Sequence, residues 1–155
     1  MVSDAARQRA LRRGPGFWGF LLAHHYPHEL ERCYQIWLGP RPLWICARCA
    51  GLIPALLITL GLQLLWAQPS GPWDVFWLGV LPWPALVDWG RARLGYSAGR
   101  NIVRSLTGLA LGLSMGRSAY LHGTEPFHPW VCWQLGLLGF CWISVEILAR
   151  WGRAS

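Results

Sequence analysis

The stretch AGLIPALLITLGLQLLWA, residues 50–67, contains no charged side chain. A helix needs about 17 to 25 mostly apolar residues to cross roughly 30 Å of hydrocarbon, so this stretch is long enough to span a membrane. The rest of the chain agrees, because 54% of its 155 residues are apolar, 14% are charged and 12 are tryptophan. That composition provides too little polar surface for a soluble globular protein. The sequence therefore predicts a membrane protein.

Three further stretches of similar character predict three more spans, at residues 73–88, 102–121 and 130–149. The shortest of them contains Pro82-Trp83-Pro84 and should kink or unwind near its inner end, because proline removes a helical hydrogen bond. The predicted fold class is therefore an all-α integral membrane four-helix bundle, with residues 50–155 as its membrane domain.

The arginines predict the orientation of the spans. All 14 basic residues are Arg, and 13 of them fall on one side when the four spans are threaded through a membrane. Because Arg-rich short loops stay in the cytoplasm, both termini are predicted to be cytoplasmic, and we expect a bacterial inner membrane. Arg117 is the exception and is expected to snorkel to the outer interface. Residues 1–49 then form a retained cytoplasmic segment, since the apolar run at 17–23 is too short for a signal peptide.

The net charge of +7 predicts an acidic partner. Nucleic acid is not expected, because the arginines are scattered along membrane edges and no nucleic-acid-binding motif accompanies them. Anionic lipid headgroups account for the same charge. Membrane lipids are therefore the predicted partners.

A stripe of small residues is predicted on one face of the third span. Arg104, Gly108, Gly112 and Gly116 recur every four residues, which places them on one side of a helix. Glycine at this spacing lets a second helix approach closely. The stripe fits either a contact within one chain or a contact between two copies in a homo-oligomer.

Polar residues collect at the predicted inner boundary of the membrane. Asp88 ends the second span and Arg104 begins the third, so the two side chains are expected to pair across the connecting loop. Ionisable residues at membrane depth are costly and are functional candidates. With Arg48, Asn101 and Thr107 they form a predicted polar inner site that suits a small anionic headgroup or solute.

A cluster of thiols and imidazoles lies on the same side. Cys46 and Cys49 form a C-x-x-C motif, Cys33 precedes it by a twelve-residue interval that contains Gly39-Pro40 as a turn, and His28 precedes Cys33 with four residues between them. Three thiolates and one imidazole are a common ligand set for structural zinc. His24 or His25 could replace His28 as the fourth ligand. Because cytoplasmic thiols stay reduced, metal binding is expected before a structural disulfide.

Two other uses of the thiols stay open. A membrane thiol-disulfide protein would use Cys46 as nucleophile and Cys49 as resolving thiol, with Arg48 and the helix N-terminus lowering the thiol pKa. Alternatively, the thiols are ordinary packing groups. A zinc site closed by four protein ligands has no open position for water, so hydrolytic catalysis is not expected. A small transporter or anionic-lipid-binding protein would instead use Asp88 and Arg104, close to the helix break at Pro82.

Several short motifs resemble a known family. They are His24-His25-x-Pro27, Arg32-Cys33, Cys46-x-Arg48-Cys49-x-Gly51, Asp88 and Asn101-x-x-Arg104-x-x-Thr107-Gly108. Together they resemble domain of unknown function 2085 (DUF2085), a family of uncharacterised small membrane proteins, over about residues 24–116. The resemblance implies a multi-span helical membrane protein with these polar motifs on one side, and it favours His24 or His25 as the fourth zinc ligand. Ile53 departs from the pattern, which is expected to have Tyr there.

Overall fold

A computed structural model describes residues 27–38, 41–96 and 99–154 of the chain. Four α-helices account for most of them: α1 Ala47–Trp66, α2 Trp83–Arg93, α3 Asn101–Thr124 and α4 Pro129–Ala154. A short 3₁₀-helix, Pro27–Arg32, precedes them. His24 and His25 lie outside the described residues.

The chain is not purely helical, and the all-α expectation is corrected in this respect. Strands β1 Cys33–Leu38 and β2 Arg41–Cys46 form an antiparallel hairpin directly before α1. Aromatic and β-branched side chains favour strands, and residues 39 and 40, Gly-Pro, separate the two strands. Pro42 pairs with Trp37 in the hairpin. The two-strand sheet therefore lies inside the segment predicted to be a separate N-terminal unit.

The second predicted span is interrupted, as Pro82-Trp83-Pro84 predicts. A π-helix, Val75–Val80, ends one turn before α2 begins at Trp83. We call residues 75–93 the broken helix. Its α-helical half continues to Arg93, five positions beyond the predicted end at Asp88, so the interruption lies near its middle rather than near its inner end.

The glycine stripe of α3 packs against α1 of the same chain. A Cβ atom on Gly116 would lie 2.8 Å from the Leu56 carbonyl oxygen, and one on Gly108 or Gly112 would collide with the backbone of α1 at Arg48 or Leu52. Because residue numbers rise together along this contact, α1 and α3 run parallel. The absence of side chains lets the two backbones touch, as small-residue packing between helices requires.

We name the two ends of the helices inner and outer, after the orientation that the arginines predict. The inner end contains the hairpin, the N-termini of α1 and α3 and the C-termini of α2 and α4. Near this end Arg93 of α2 donates two hydrogen bonds to Glu146 of α4, at 2.7 and 2.9 Å. Farther toward the outer end, Gln134 of α4 donates to Ser114 of α3 and accepts from Ser118. These polar contacts join α4 to the other helices.

Two helices have the length and composition of membrane spans: Ala47–Trp66, with mean hydropathy 1.9, and Pro129–Gly152, with 1.7. Only 17% and 11% of their most apolar windows are buried inside the protein. A core helix of a soluble protein would be largely buried, whereas Leu57 and Leu64 of α1 are 60% and 66% exposed. Such extensive apolar surface calls for an apolar environment.

Arg117 does not snorkel to the interface, and this expectation is wrong. Its side chain is 4% exposed and donates to both oxygens of Asp74, at 2.6 and 3.1 Å. It also donates to the Gln63 side chain at 3.0 Å and to the carbonyls of Gln68 and Pro69 at 3.0 and 2.8 Å. These acceptors satisfy the guanidinium within the fold, so it has no need to reach water.

Candidate functional site

The inner end brings together four of the five residues predicted for the polar site: Arg48, Asp88, Asn101 and Arg104. Arg48, in the first turn of α1, forms an ion pair with Asp88 of α2, and the two side chains are 24% and 12% exposed. We expected Asp88 to pair with Arg104, and this pairing is corrected. The Arg48 side chain reaches the Asp88 carboxylate from the first turn of α1.

Arg104 lies in the first turn of α3 and is only 4% exposed. Its Nη1 donates to Asn101 Oδ1 at 3.4 Å. The charged groups within electrostatic range of it are Arg32, Arg48, Asp88 and Glu31. Among the described residues, three guanidinium groups therefore lie near two carboxylates at this end of the helices.

Gly99 brings the backbone close to this cluster. It adopts a φ of +63°, a left-handed conformation that glycine tolerates best. A Cβ atom at this position would lie 3.5 Å from Asp88 Oδ1 and 3.5 Å from Arg104 Nε. The backbone at Gly99 therefore lies close to both the Asp88 and the Arg104 side chains.

Asn101 fastens the N-terminal elements to α3. Its Nδ2 donates to the carbonyl oxygen of Glu31 at 3.0 Å and to that of Cys33 at 3.4 Å. Nearby, Ser105 Oγ donates to the Ala47 carbonyl at 2.8 Å and lies 2.9 Å from Tyr34 Oη. Because Ser105 donates its hydroxyl proton to the carbonyl, Tyr34 is the donor in the hydrogen bond between the two hydroxyl groups. The hairpin is thus attached at the inner end of α3, next to Arg104.

A groove of about 630 Å³ runs between the broken helix and α3. Its apolar part is lined by Val80, Trp83, Pro84, Val87 and Val103, and its inner part by Asp88, Arg91, Gly99 and Arg100. Thr107, the fifth predicted site residue, also lines the groove, and its hydroxyl donates to the Arg104 carbonyl at 3.1 Å. The groove therefore adjoins the buried charges and changes from apolar to basic along its length.

Arg91 and Arg100 are functional candidates that the sequence reasoning missed. Both are exposed, and neither forms an ion pair with another residue in the described part of the chain. A signal for Arg91 existed in the spacing of Trp83, Val87 and Arg91 on one helix, which puts two apolar groups and one cation on a common face. The sequence could not show that α3 supplies the opposite wall.

The structure brings the three predicted cysteine ligands into one neighbourhood. Cys33 and Cys46 are directly opposite each other in the hairpin and are 6% and 4% exposed. Cys49, in the first turn of α1, lies within electrostatic range of Cys46 and Cys33. A thiol-disulfide oxidoreductase needs an accessible thiolate, so the burial of Cys46 does not favour it as a redox nucleophile.

A complete metal site is not formed by the part of the chain that the structure describes. Among residues 27–38, 41–96 and 99–154, no group of three or more His, Cys, Asp or Glu side chains is arranged to hold a metal ion. The predicted fourth ligands, His24 and His25, lie outside these ranges. The three thiols are therefore neighbours without being a preformed ligand set.

The fold and the site define a helical protein with extensive exposed apolar surface, as in membrane proteins, and a cluster of charged side chains at one end. The model of a family described as "Predicted membrane protein (DUF2085)" matches residues 28–117, more than half of the chain. The chain belongs to this family. The matched region contains the hairpin and the clustered charges, and it begins after the His24-His25 pair. No curated protein and no solved structure matches the chain.

Proposed function

We propose that this is a four-span membrane protein whose inner end binds the phosphate group of an anionic ligand. The observation that carries the proposal is the gathering of guanidinium groups at this end: Arg104 is 4% exposed and has Arg32 and Arg48 within electrostatic range. Burying like charges together is unfavourable unless an anion compensates them. The planar guanidinium group of arginine suits two parallel hydrogen bonds to phosphate oxygens.

The membrane placement supports the choice of ligand. The spans would be α1, the broken helix, α3 and α4, crossing in alternate directions with both termini in the cytoplasm, as the arginine distribution indicates. The buried charges then lie at the level of the inner headgroups. We propose a bacterial inner membrane, where phosphate-bearing lipids and solutes both reach that level.

A second feature of this cluster supports the binding of an anion. Arg48 Nε is buried and has no hydrogen-bond partner among the described residues, although the same side chain pairs with Asp88 through Nη2. A buried donor without an acceptor is costly. An anion beside Arg48 would supply the acceptor while leaving the ion pair with Asp88 intact.

The phosphorus content of the purified protein tests this proposal. We expect the full chain, purified in mild detergent, to keep a phosphate-bearing molecule that a total-phosphorus assay detects. Arg104→Gln should lower this content about tenfold, because one charge-assisted contact is worth roughly 1.5–3 kcal/mol. Arg104→Lys should retain part of it.

Arg150→Gln is the matched control, since it removes one exposed inner-end arginine from α4, away from the cluster. It should leave the phosphorus content unchanged. Equal phosphorus in the Arg104→Gln protein and the wild type, with both eluting as folded and monodisperse species, would contradict the proposal.

A structural zinc ion is our second proposal for the inner end. The direct opposition of Cys33 and Cys46 in the hairpin and the nearness of Cys49 to both support it, because three thiolates and one imidazole are a common ligand set for structural zinc. His24 or His25 would complete the set. Zinc would then fix the hairpin to the start of α1.

Metal analysis distinguishes a zinc site from cysteines that only pack against their neighbours. Purified full-length protein is expected to contain zinc in proportion to protein, and Cys46→Ser should remove it. Cys132→Ser, which changes an exposed cysteine of α4, should retain the metal. A metal-free wild type that stays folded and monodisperse would rule out the zinc site.

A further inference from the structure

The groove between the broken helix and α3 opens on the outside of the helix bundle. Its wall residues Val80, Val87 and Val103 are 50%, 53% and 42% exposed, and Trp83 is 44% exposed. In the proposed membrane placement these side chains face hydrocarbon. A ligand can therefore enter sideways from the lipid without passing through the protein.

The groove changes from apolar to basic along the direction of the membrane normal. Val80 lies toward the outer end and Arg91 at the inner end, eleven residues later, a separation of roughly 16 Å at helical rise. Arg100, the residue before α3, lines the same groove as Arg91. The basic end is thus at headgroup depth, and the apolar part extends toward the membrane centre.

The charges of the groove favour an anion over a zwitterion. Asp88 also lines the groove, but its carboxylate is paired with Arg48. Arg91 and Arg100 have no such compensation within the described chain, so their forked donors suit phosphate oxygens. The volume of about 630 Å³ is in the range of small-ligand sites and can hold a hydrocarbon chain.

We propose that this groove binds an anionic lipid, with its phosphate between Arg91 and Arg100 and one acyl chain along Val80, Trp83, Val87 and Val103. The inference rests on the proposed anion-binding function and names its ligand class as a phospholipid rather than a water-soluble phosphate. The acyl chain supplies apolar contact that a free phosphate cannot make, and the buried positive charge of Arg104 lies behind the headgroup.

Native mass spectrometry of the full chain tests whether the groove binds an anionic lipid. We expect dioleoyl phosphatidic acid to be retained about tenfold more than dioleoyl phosphatidylcholine, and more than glycerol 3-phosphate, which has the phosphate without the chains. The double change Arg91→Gln and Arg100→Gln should abolish the preference for phosphatidic acid over phosphatidylcholine. Arg150→Gln, the inner-end control, should keep it.

A second pair of variants tests the acyl chain separately from the charge. Val87→Trp would fill the apolar groove and should lower phosphatidic acid retention about tenfold. Leu57→Trp, which enlarges a side chain of similar exposure on α1, should have no effect. Retention of phosphatidic acid by Val87→Trp at the level of Leu57→Trp would overturn the proposal, as would equal retention of glycerol 3-phosphate and phosphatidic acid.

The outcomes distinguish the lipid from the broader function. If Arg104→Gln loses retained phosphate while the groove variants bind phosphatidic acid like the wild type, the anion site stands and the lipid groove is wrong. If the wild type retains none of the three probes and no phosphorus, both proposals fail.

Discussion

Replacing Arg117 with methionine is expected to destabilise the protein by about 3–5 kcal/mol, the cost of removing one partner from a buried ion pair. Asp74 is 1% exposed and would keep a buried carboxylate without its cation. The carbonyls of Gln68 and Pro69 would lose their donor as well. Thermal unfolding in detergent, followed by circular dichroism, should show the loss as a large fall in melting temperature.

Two comparisons identify the cause of that loss. Arg93→Met removes a partly exposed ion pair with Glu146, whose side chains are 39% and 19% exposed, and should cost no more than about 1 kcal/mol. The double variant Arg117→Met with Asp74→Asn should be more stable than Arg117→Met alone, because it leaves no unpaired charge. Additive losses in the double variant would show that Arg117 acts through packing only.

Gly112→Ala is expected to produce the second large effect. The added methyl carbon would lie 2.9 Å from Ala55 Cβ and would collide with the Leu52 carbonyl oxygen. Backbone atoms cannot move aside as a side chain can, so α1 and α3 would have to separate. We expect a loss toward the upper end of the roughly 1–3 kcal/mol typical of overpacked cores, measured by the same unfolding experiment.

The matched control is Gly61→Ala, also within a helix. Nothing lies within 4 Å of a Cβ atom at this position. Alanine should therefore be neutral or stabilising by up to about 1 kcal/mol, through its higher helix propensity. If both variants lose the same stability, close packing of α1 against α3 is not the reason for glycine at position 112.

The helices were largely predictable because hydropathy is a local property of the chain. The predicted span 50–67 corresponds to α1, Ala47–Trp66, and 130–149 lies within α4, Pro129–Ala154. The helix break at Pro82 was also predictable, since proline lacks the amide hydrogen that a helix interior needs. The hairpin Cys33–Cys46 was not predicted, because each of its strands has only six residues and a run that short gives an ambiguous periodicity.

The partners of the buried charges were not predictable. Asp88 lies 40 positions from Arg48 in the sequence and Asp74 lies 43 from Arg117, whereas the pairing expected from proximity along the chain was Asp88 with Arg104. The helix that packs against the glycine stripe was equally unpredictable. Gly108 faces the same-chain α1 backbone, a contact that the spacing alone fitted no better than a contact between copies.

The sequence by itself determined that most of this chain forms apolar helices and that its arginines collect at one end, because both features follow from the types of residue along each segment. The tertiary structure decided which charges meet and where the groove lies. The physical reason is the close approach of α1 and α3 at Gly108 and Gly112. It sets the positions at which Arg48 reaches Asp88 and Arg117 reaches Asp74, and it leaves the other side of α3 to form the groove with the broken helix.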